Sequence, residues 1–110
     1  MAAQYKLLKT DKGEFYFNLT SNNNQKILAS ERYKTKNGAM SGIESVKKNA
    51  ADDSRYVKLT SSDGKFYFRL KAGNNETIGT SEMYNTEQAC DKGIEAVKSV
   101  GPTASVNDQS

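Results

Sequence analysis

The sequence predicts an α+β fold in which tandem β-β-β-α repeats form one shared, mainly antiparallel sheet with two helices packed on one face. The two halves should be related by a pseudo-twofold axis. The stretch Gly13-Glu14-Phe15-Tyr16-Phe17-Asn18-Leu19 returns 51 residues later as Gly64-Lys65-Phe66-Tyr67-Phe68-Arg69-Leu70. Its Phe, Phe and Leu alternate at period two, as a strand with one buried face requires. Beyond each copy, apolar residues recur at helical spacing, Ala39, Ile43, Val46 and Ala50 in the first. A chain of 110 residues suffices for one core but not for two domains that each stand alone, so the repeats are expected to share theirs. The expected division is one domain over 1–110, with repeat one at about 3–53, repeat two at about 54–106 and a flexible tail at 107–110.

Tyr5 to Lys9 reads as a first strand, closed by Thr10-Asp11-Lys12-Gly13, whose glycine can take positive φ. Its phase is open, because both Leu7 and Leu8 can claim the inward side. Phe15 to Leu19 is the second strand, and Ser21-Asn22-Asn23-Asn24 turns the chain on asparagines that tolerate left-handed backbone. Lys26 to Ser30 returns as the third. Thr35 is placed to cap a helix over roughly Lys36 to Asn49, with Gly42 on its apolar stripe. An interior glycine costs roughly 1 kcal/mol relative to alanine, so one in each copy, Gly42 and Gly93, suggests a close approach of the helix to the sheet. Ala51 to Ser54 links the copies, and the second opens with the strand Arg55 to Leu59. The register then runs without a gap: Tyr56 answers Tyr5, Ile78 answers Ile27, Tyr84 answers Tyr33 and Thr86 answers Thr35. A second helix spans about Glu87 to Val100, Gly101-Pro102 stops it, and Thr103 to Val106 forms a last short strand.

Sixteen Lys and Arg against thirteen Asp and Glu leave a net charge of +3, short of the dense basic stripe of a dedicated nucleic-acid binder. A single cysteine excludes an intramolecular disulfide and fits a reducing compartment. No apolar run reaches membrane-spanning length, and the N-terminal residues lack a signal pattern. A cytoplasmic protein without membrane association is the expectation.

The doubled Gly-x-Phe-Tyr-Phe strands, the Asn-rich turns, the Ser-Glu-x-Tyr-x-Thr segments and the Gly-Ile-x-x-Val-Lys helices closely resemble the bacterial YegP-like family in its tandem form. The resemblance covers nearly the whole chain. It implies repeats of three strands and a helix joined into one sheet, with the strands that follow the helices exchanged between the halves. It implies a monomer with an internal pseudo-dimer, and it brings no catalytic residue and no cofactor.

The chain has no histidine, so it lacks the usual general base near neutral pH and the commonest metal ligand. No phosphate-binding glycine loop or nucleophile elbow appears. Glu31 and Glu82 recur in both copies; pairing across the twofold would raise one pKa, and the alternative is that each sits near a helix N-terminus, where negative charge is favoured. Cys90 takes the place of Ala39 on the apolar stripe and reads as a small buried hydrophobe. Tyr33 and Tyr84 are expected to pack over the helix starts with their hydroxyls satisfied locally. If Phe15, Phe17 and Leu19 face the helices, Glu14, Tyr16, Asn18 and Thr20 face away, and their second-copy counterparts are Lys65, Tyr67, Arg69 and Lys71. Three cations around a tyrosine make these four the binding candidates for a nucleic acid or another anion; a solvated face guarded by lysines is the other reading. No metal site and no cofactor is expected. A non-enzymatic binding or interaction module is the leading functional expectation, ahead of a carboxylate enzyme around Glu31 and Glu82.

Overall fold

The computed structural model describes residues 2–110. The first Gly turn forms as the sequence requires: Gly13, at φ +86°, lets its N–H reach the Thr10 carbonyl at 3.0 Å, and Gly64 at φ +82° repeats this with Ser61. The turns joining the second and third strands of each copy hinge on Asn24 and Asn75, with φ of 66° and 70°. Between these turns run β1 (Gln4–Lys9), β2 (Phe15–Thr20) and β3 (Lys26–Ser30), answered by β4 (Tyr56–Thr60), β5 (Phe66–Lys71) and β6 (Thr77–Thr80). The helices are α1 (Lys36–Asn49) and α2 (Glu87–Val100). Thr35 and Thr86 cap them, their hydroxyls accepting from the N–H groups of Gly38 and Ala89 at 2.9 and 3.0 Å.

All seven strands share one sheet in the order β4-β5-β6-β3-β2-β1-β7, antiparallel throughout except that β7 (Ser105–Asp108) runs parallel to β1. The copies meet at β3 and β6, where Ala29 lies opposite Thr80. These two are counterparts in the duplication, so the pseudo-twofold axis passes between them. Beside it the symmetry breaks. Leu28 is fully buried, its counterpart is Gly79, and a Cβ on Gly79 would sit 2.8 Å from Leu28 Cγ. Two leucines do not fit at the axis, so one copy supplies the side chain and the other the space.

Tyr5, Phe17, Leu19, Phe68 and Leu70 from the sheet meet Ile43, Val46 and Val97 from the helices in one core, all inaccessible, and Leu7 is buried as fully. The open phase of β1 is thereby settled: Tyr5 and Leu7 face in, and Leu8 lies opposite Tyr16. The helix ends also meet, since a Cβ on Gly101 would stand 2.8 Å from Ala50 Cβ. Each end is tied to the sheet by a tyrosine: Tyr5 Oη donates to the Gly101 carbonyl and Tyr56 Oη to the Ala50 carbonyl, both at 2.6 Å.

Four local expectations need correction. Phe15 and Phe66 are only half-buried, because each bridges backbone to backbone with Tyr33 or Tyr84 at the sheet margin. The link coils into a 3-10 turn over Asp53–Arg55, held by the Asp52 carboxylate accepting the Ser54 N–H at 2.9 Å, so β4 starts at Tyr56 rather than Arg55. α2 stops at Val100 as expected, but a turn follows it, with Ala104 N–H on the Val100 carbonyl at 2.9 Å, which delays the last strand to Ser105–Asp108. Asn107 and Asp108, expected in a flexible tail, therefore pair with Lys6 and Leu7, and Gln109 N–H donates to the Leu7 carbonyl at 2.8 Å. Finally, the close approach of the helices at Gly42 and Gly93 involves the sheet only in part: a Cβ at either would meet the Phe17 or Phe68 ring at 3.0 or 3.2 Å, and first of all the Tyr33 or Tyr84 ring from the segment between sheet and helix.

Candidate functional site

The outer face of the sheet carries one continuous row across every strand. Val57, Arg69, Thr80, Ala29, Asn18, Lys6 and Asn107 are successive partners from β4 to β7. Counterparts along this row differ in kind. Val57 replaces Lys6, and Met83, in the segment after β6, replaces Arg32. These two are the exposed large hydrophobics among the described residues, at 36% and 52% accessibility, and both belong to copy two. Copy one keeps its cations: the Arg32 guanidinium lies 5.1 Å from the centre of the Tyr16 ring, an attraction between cation and ring face.

The structure brings two of the four binding candidates together. The Arg69 guanidinium stands 5.9 Å from the Tyr67 ring centre. Lys65 is engaged elsewhere, its Nζ donating to Asn85 Oδ1 at 2.7 Å. Lys71 is half-buried at the end of β5, where the pairing with β6 skips Ile78. In copy one the pairing of β2 with β3 skips Ile27 in the same way, and Thr20 beside it is buried, with its hydroxyl on the Gln4 carbonyl at 3.3 Å. Sequence parity could not find this bulge, and it also missed Lys6 and Arg32, which return cations to the copy-one face. The contrast between the copies on this face is therefore chiefly one of apolar exposure.

Glu31 and Glu82 are both exposed, and Glu82 turns to Lys26 of the other repeat at 3.7 Å. Neither lines the grooves described next. Cys90 is buried, and burial, with the Asp91 carboxylate adding to it, pushes its thiol above the ordinary value. That disfavours the reactive thiolate. No group of three or more His, Cys, Asp or Glu is placed to hold a metal ion among the described residues.

Twin grooves cross the repeat junction. One, of ≈ 220 Å³, lies between α1 and the β5–β6 turn, over Tyr33, Gly42 and Ile78; its counterpart, of ≈ 290 Å³, lies between α2 and the β2–β3 turn, over Tyr84, Gly93 and Ile27. Tyr33 and Tyr84 were expected to be satisfied locally, yet neither hydroxyl has a hydrogen-bond partner among the described residues. Burial raises both pKa values, with Glu31 and the Cys90 and Glu82 pair as the lesser causes. The absent Cβ of each glycine is what lets the ring lie flat beneath its helix.

A third groove runs under the free edge of β4. It is lined by Asp53, Tyr56, Lys58, Asp91, Ile94 and Glu95, with a volume of ≈ 390 Å³. Here Lys58 Nζ holds Asp91 at 3.0 Å and Glu87 at 3.5 Å. These contacts, with the bond to Asp91 the largest cause, raise the Lys58 pKa.

The domain described as "Domain of unknown function (DUF1508)" matches residues 11–56 and again residues 61–108. The chain belongs to the DUF1508 family. Among similar proteins, the UPF0339 protein in the ptx operon 5' region of Stutzerimonas stutzeri is 51% identical over 106 residues, 96% of each chain. The UPF0339 protein YegP of Escherichia coli K12 is 44% identical over 108 residues, 98% of each chain. The solution structure of the E. coli protein, described as of unknown function, superposes with a TM-score of 0.93, covering 99% of this chain and 94% of that one. A UPF0339 protein of Shewanella oneidensis superposes with a TM-score of 0.92 at 44% identity, covering 98% and 92%. The α+β fold is thus shared with the two solved structures, the DUF1508 domain is present twice in this chain, and no helix of the chain is long and apolar enough to cross a membrane.

Proposed function

We propose that the protein is a cytoplasmic, monomeric, non-enzymatic interaction module that meets a protein partner through the copy-two end of its outer sheet face. The observation that carries this reading is the placement of Val57 and Met83: both exposed, both in one copy, both where the other copy has a cation. What sets these two apart from scattered surface hydrophobics is that each stands where the other copy has a cation, and Arg69 with Tyr67 supplies the aromatic and arginine character that contact surfaces favour. The unpaired, buried cysteine supports a reducing compartment. The solvent-exposed glutamates and the lack of histidine support a non-enzymatic role. The test is photo-crosslinking in the native cell, with a photoreactive residue placed at Val57 or Met83, and at Lys6 or Arg32 as controls. Discrete adducts are expected from the first pair alone; an identical pattern from all four positions, or none, defeats the reading.

Nucleic-acid or other anion binding by Lys65, Tyr67, Arg69 and Lys71 is the second reading, favoured by the outward Tyr67 ring with Arg69 beside it and two further lysines in the same copy; Tyr16 and Arg32 form the corresponding pair in copy one. A base stacking on Tyr67 would compete with Arg69 for the ring face. Titration with short single-stranded RNA and DNA at low salt decides it: amide shifts centred on Lys65, Tyr67 and Arg69 support it, and unmoved amides end it.

A further inference from the structure

The duplication is complete except at the ends of the sheet. Beside β1 lies β7, parallel to it, with Val106 opposite Tyr5 and Asp108 opposite Leu7. The pseudo-twofold places an equivalent slot beside β4, and among the described residues β4 pairs with β5 alone. Burial records the difference. Tyr5 and Leu7 are fully covered, whereas Tyr56 is half-buried and Lys58 exposed. The ≈ 390 Å³ groove between β4 and α2 lies where Val106, packed against the core on the other side, would have its counterpart. Since the Leu7 carbonyl faces β7, the backbone groups of Lys58 and the carbonyl of Tyr56 face the open slot. The Tyr56 N–H is already taken by the Asp53 carbonyl.

Charge says what kind of strand fits. In the filled slot, Lys36 at the start of α1 grips the Asp108 carboxylate at 2.9 Å. In the open slot the counterpart of Lys36 is Glu87, that of Met40 is Asp91, and that of Leu7 is Lys58. Glu87 and Asp91 share the single Lys58, and Asp53 and Glu95 share the single Lys98, so each group keeps an excess carboxylate. The balance has turned from the lone Lys36 to two carboxylates around Lys58, which disfavours a β7 exchanged from a second copy: its Asp108 would lie opposite Lys58 but bring a third carboxylate to Glu87 and Asp91.

We infer that the β4 edge receives an extended segment of another protein, added parallel to β4, with an apolar residue opposite Tyr56 and a Lys or Arg two residues later opposite Lys58. Main-chain hydrogen bonds would supply affinity and the groove the choice of side chain, as in strand addition generally. This site is the sheet edge and does not depend on the outer-face contact proposed above.

The probes are two blocked peptides copying Thr103–Ser110, one unchanged and one with Asp108→Lys, titrated into the labelled full chain. The lysine peptide is expected to shift the Tyr56–Thr60 amides and to bind at least about tenfold more tightly than the aspartate peptide, with the difference shrinking as salt rises. Glu87→Lys restores the residue of copy one, whose helix tolerates it, and should reverse the preference; Asp91→Asn should weaken the lysine peptide in the same way if the first variant fails to fold. Shifts absent from β4 with both peptides at millimolar concentration, or equal affinity for the two, overturn the inference. So would self-association, without peptide, that moves the same amides. The outer-face crosslinks are unaffected by any of these outcomes.

Discussion

Gly79→Ala should destabilise the protein, although replacing a strand glycine with alanine ordinarily gains roughly 0.5–1 kcal/mol. The added Cβ would stand 2.8 Å from Leu28 Cγ, 3.0 Å from its Cδ2 and 3.1 Å from the Ala29 carbonyl oxygen. Leu28 is fully buried and cannot swing into solvent, and the carbonyl belongs to the β3 backbone that pairs with β6. Overpacking of this kind typically costs about 1–3 kcal/mol, so the net loss should be about 1–2 kcal/mol. For a domain of this size that lowers Tm by about 4–8 °C or more. Thermal and urea unfolding of Gly79→Ala, Leu28→Ala and the double variant make a cycle. Leu28→Ala alone should cost about 2–5 kcal/mol, and in its background Gly79→Ala should turn neutral or stabilising, a coupling of about 2 kcal/mol. A rise in Tm for Gly79→Ala alone, or additivity within about 0.5 kcal/mol, would refute the claim that one leucine fills both sides of the axis.

Gly93→Leu should lower Tm clearly, because its Cβ alone would overlap Tyr84 Cζ at 2.8 Å; an unchanged Tm would sink the explanation. Tyr5 and Tyr56 have pKa values raised first by burial, then by neighbouring charges. Their neutral form is favoured in the fold, so the associated stability is intact below the ordinary tyrosine value of about 10 and falls as pH rises beyond it. Tyr5→Phe should blunt alkaline unfolding while weakening the fold at neutral pH by about 1 kcal/mol through the bond lost to Gly101; an unaltered alkaline limb tells against it. Asp108 is held at about 2, chiefly by the Lys36 hydrogen bond and then by Ser110. Its contribution is present above the unfolded carboxylate value of about 3.9 and is lost as pH falls toward 2, so β7 amides should begin to exchange faster in that window, and Lys36→Ala should reduce the pH dependence to the part that Ser110 sustains.

Period-two and helical spacing made the two ββα cores legible before any coordinates, because buried Phe17, Leu19, Ile43 and Val46 dominate both the pattern and the energetics. What stayed hidden depends on contacts between distant residues. The bulges at Ile27 and Ile78 break the parity of β3 and β6, where two consecutive residues are buried in each strand. The half-exposure of Phe15 follows from its bridge to Tyr33, and the reason for Gly42 from a ring 9 residues earlier in the chain. Leu28 against Gly79 is readable only once the axis is known to pass between β3 and β6. The Val57 and Met83 contrast was present in the sequence, at the counterparts of Lys6 and Arg32, but an unphased first strand concealed it.

The asymmetry of the two sheet edges is tested most directly by amide hydrogen exchange of the free protein, comparing Leu7 with its counterpart Lys58. Both N–H groups point to the outside of their strand, the first into β7 and the second into the open slot. Leu7 should exchange near the global unfolding limit and Lys58 at least about 10³-fold faster. Equal protection of the two would contradict an open β4 edge.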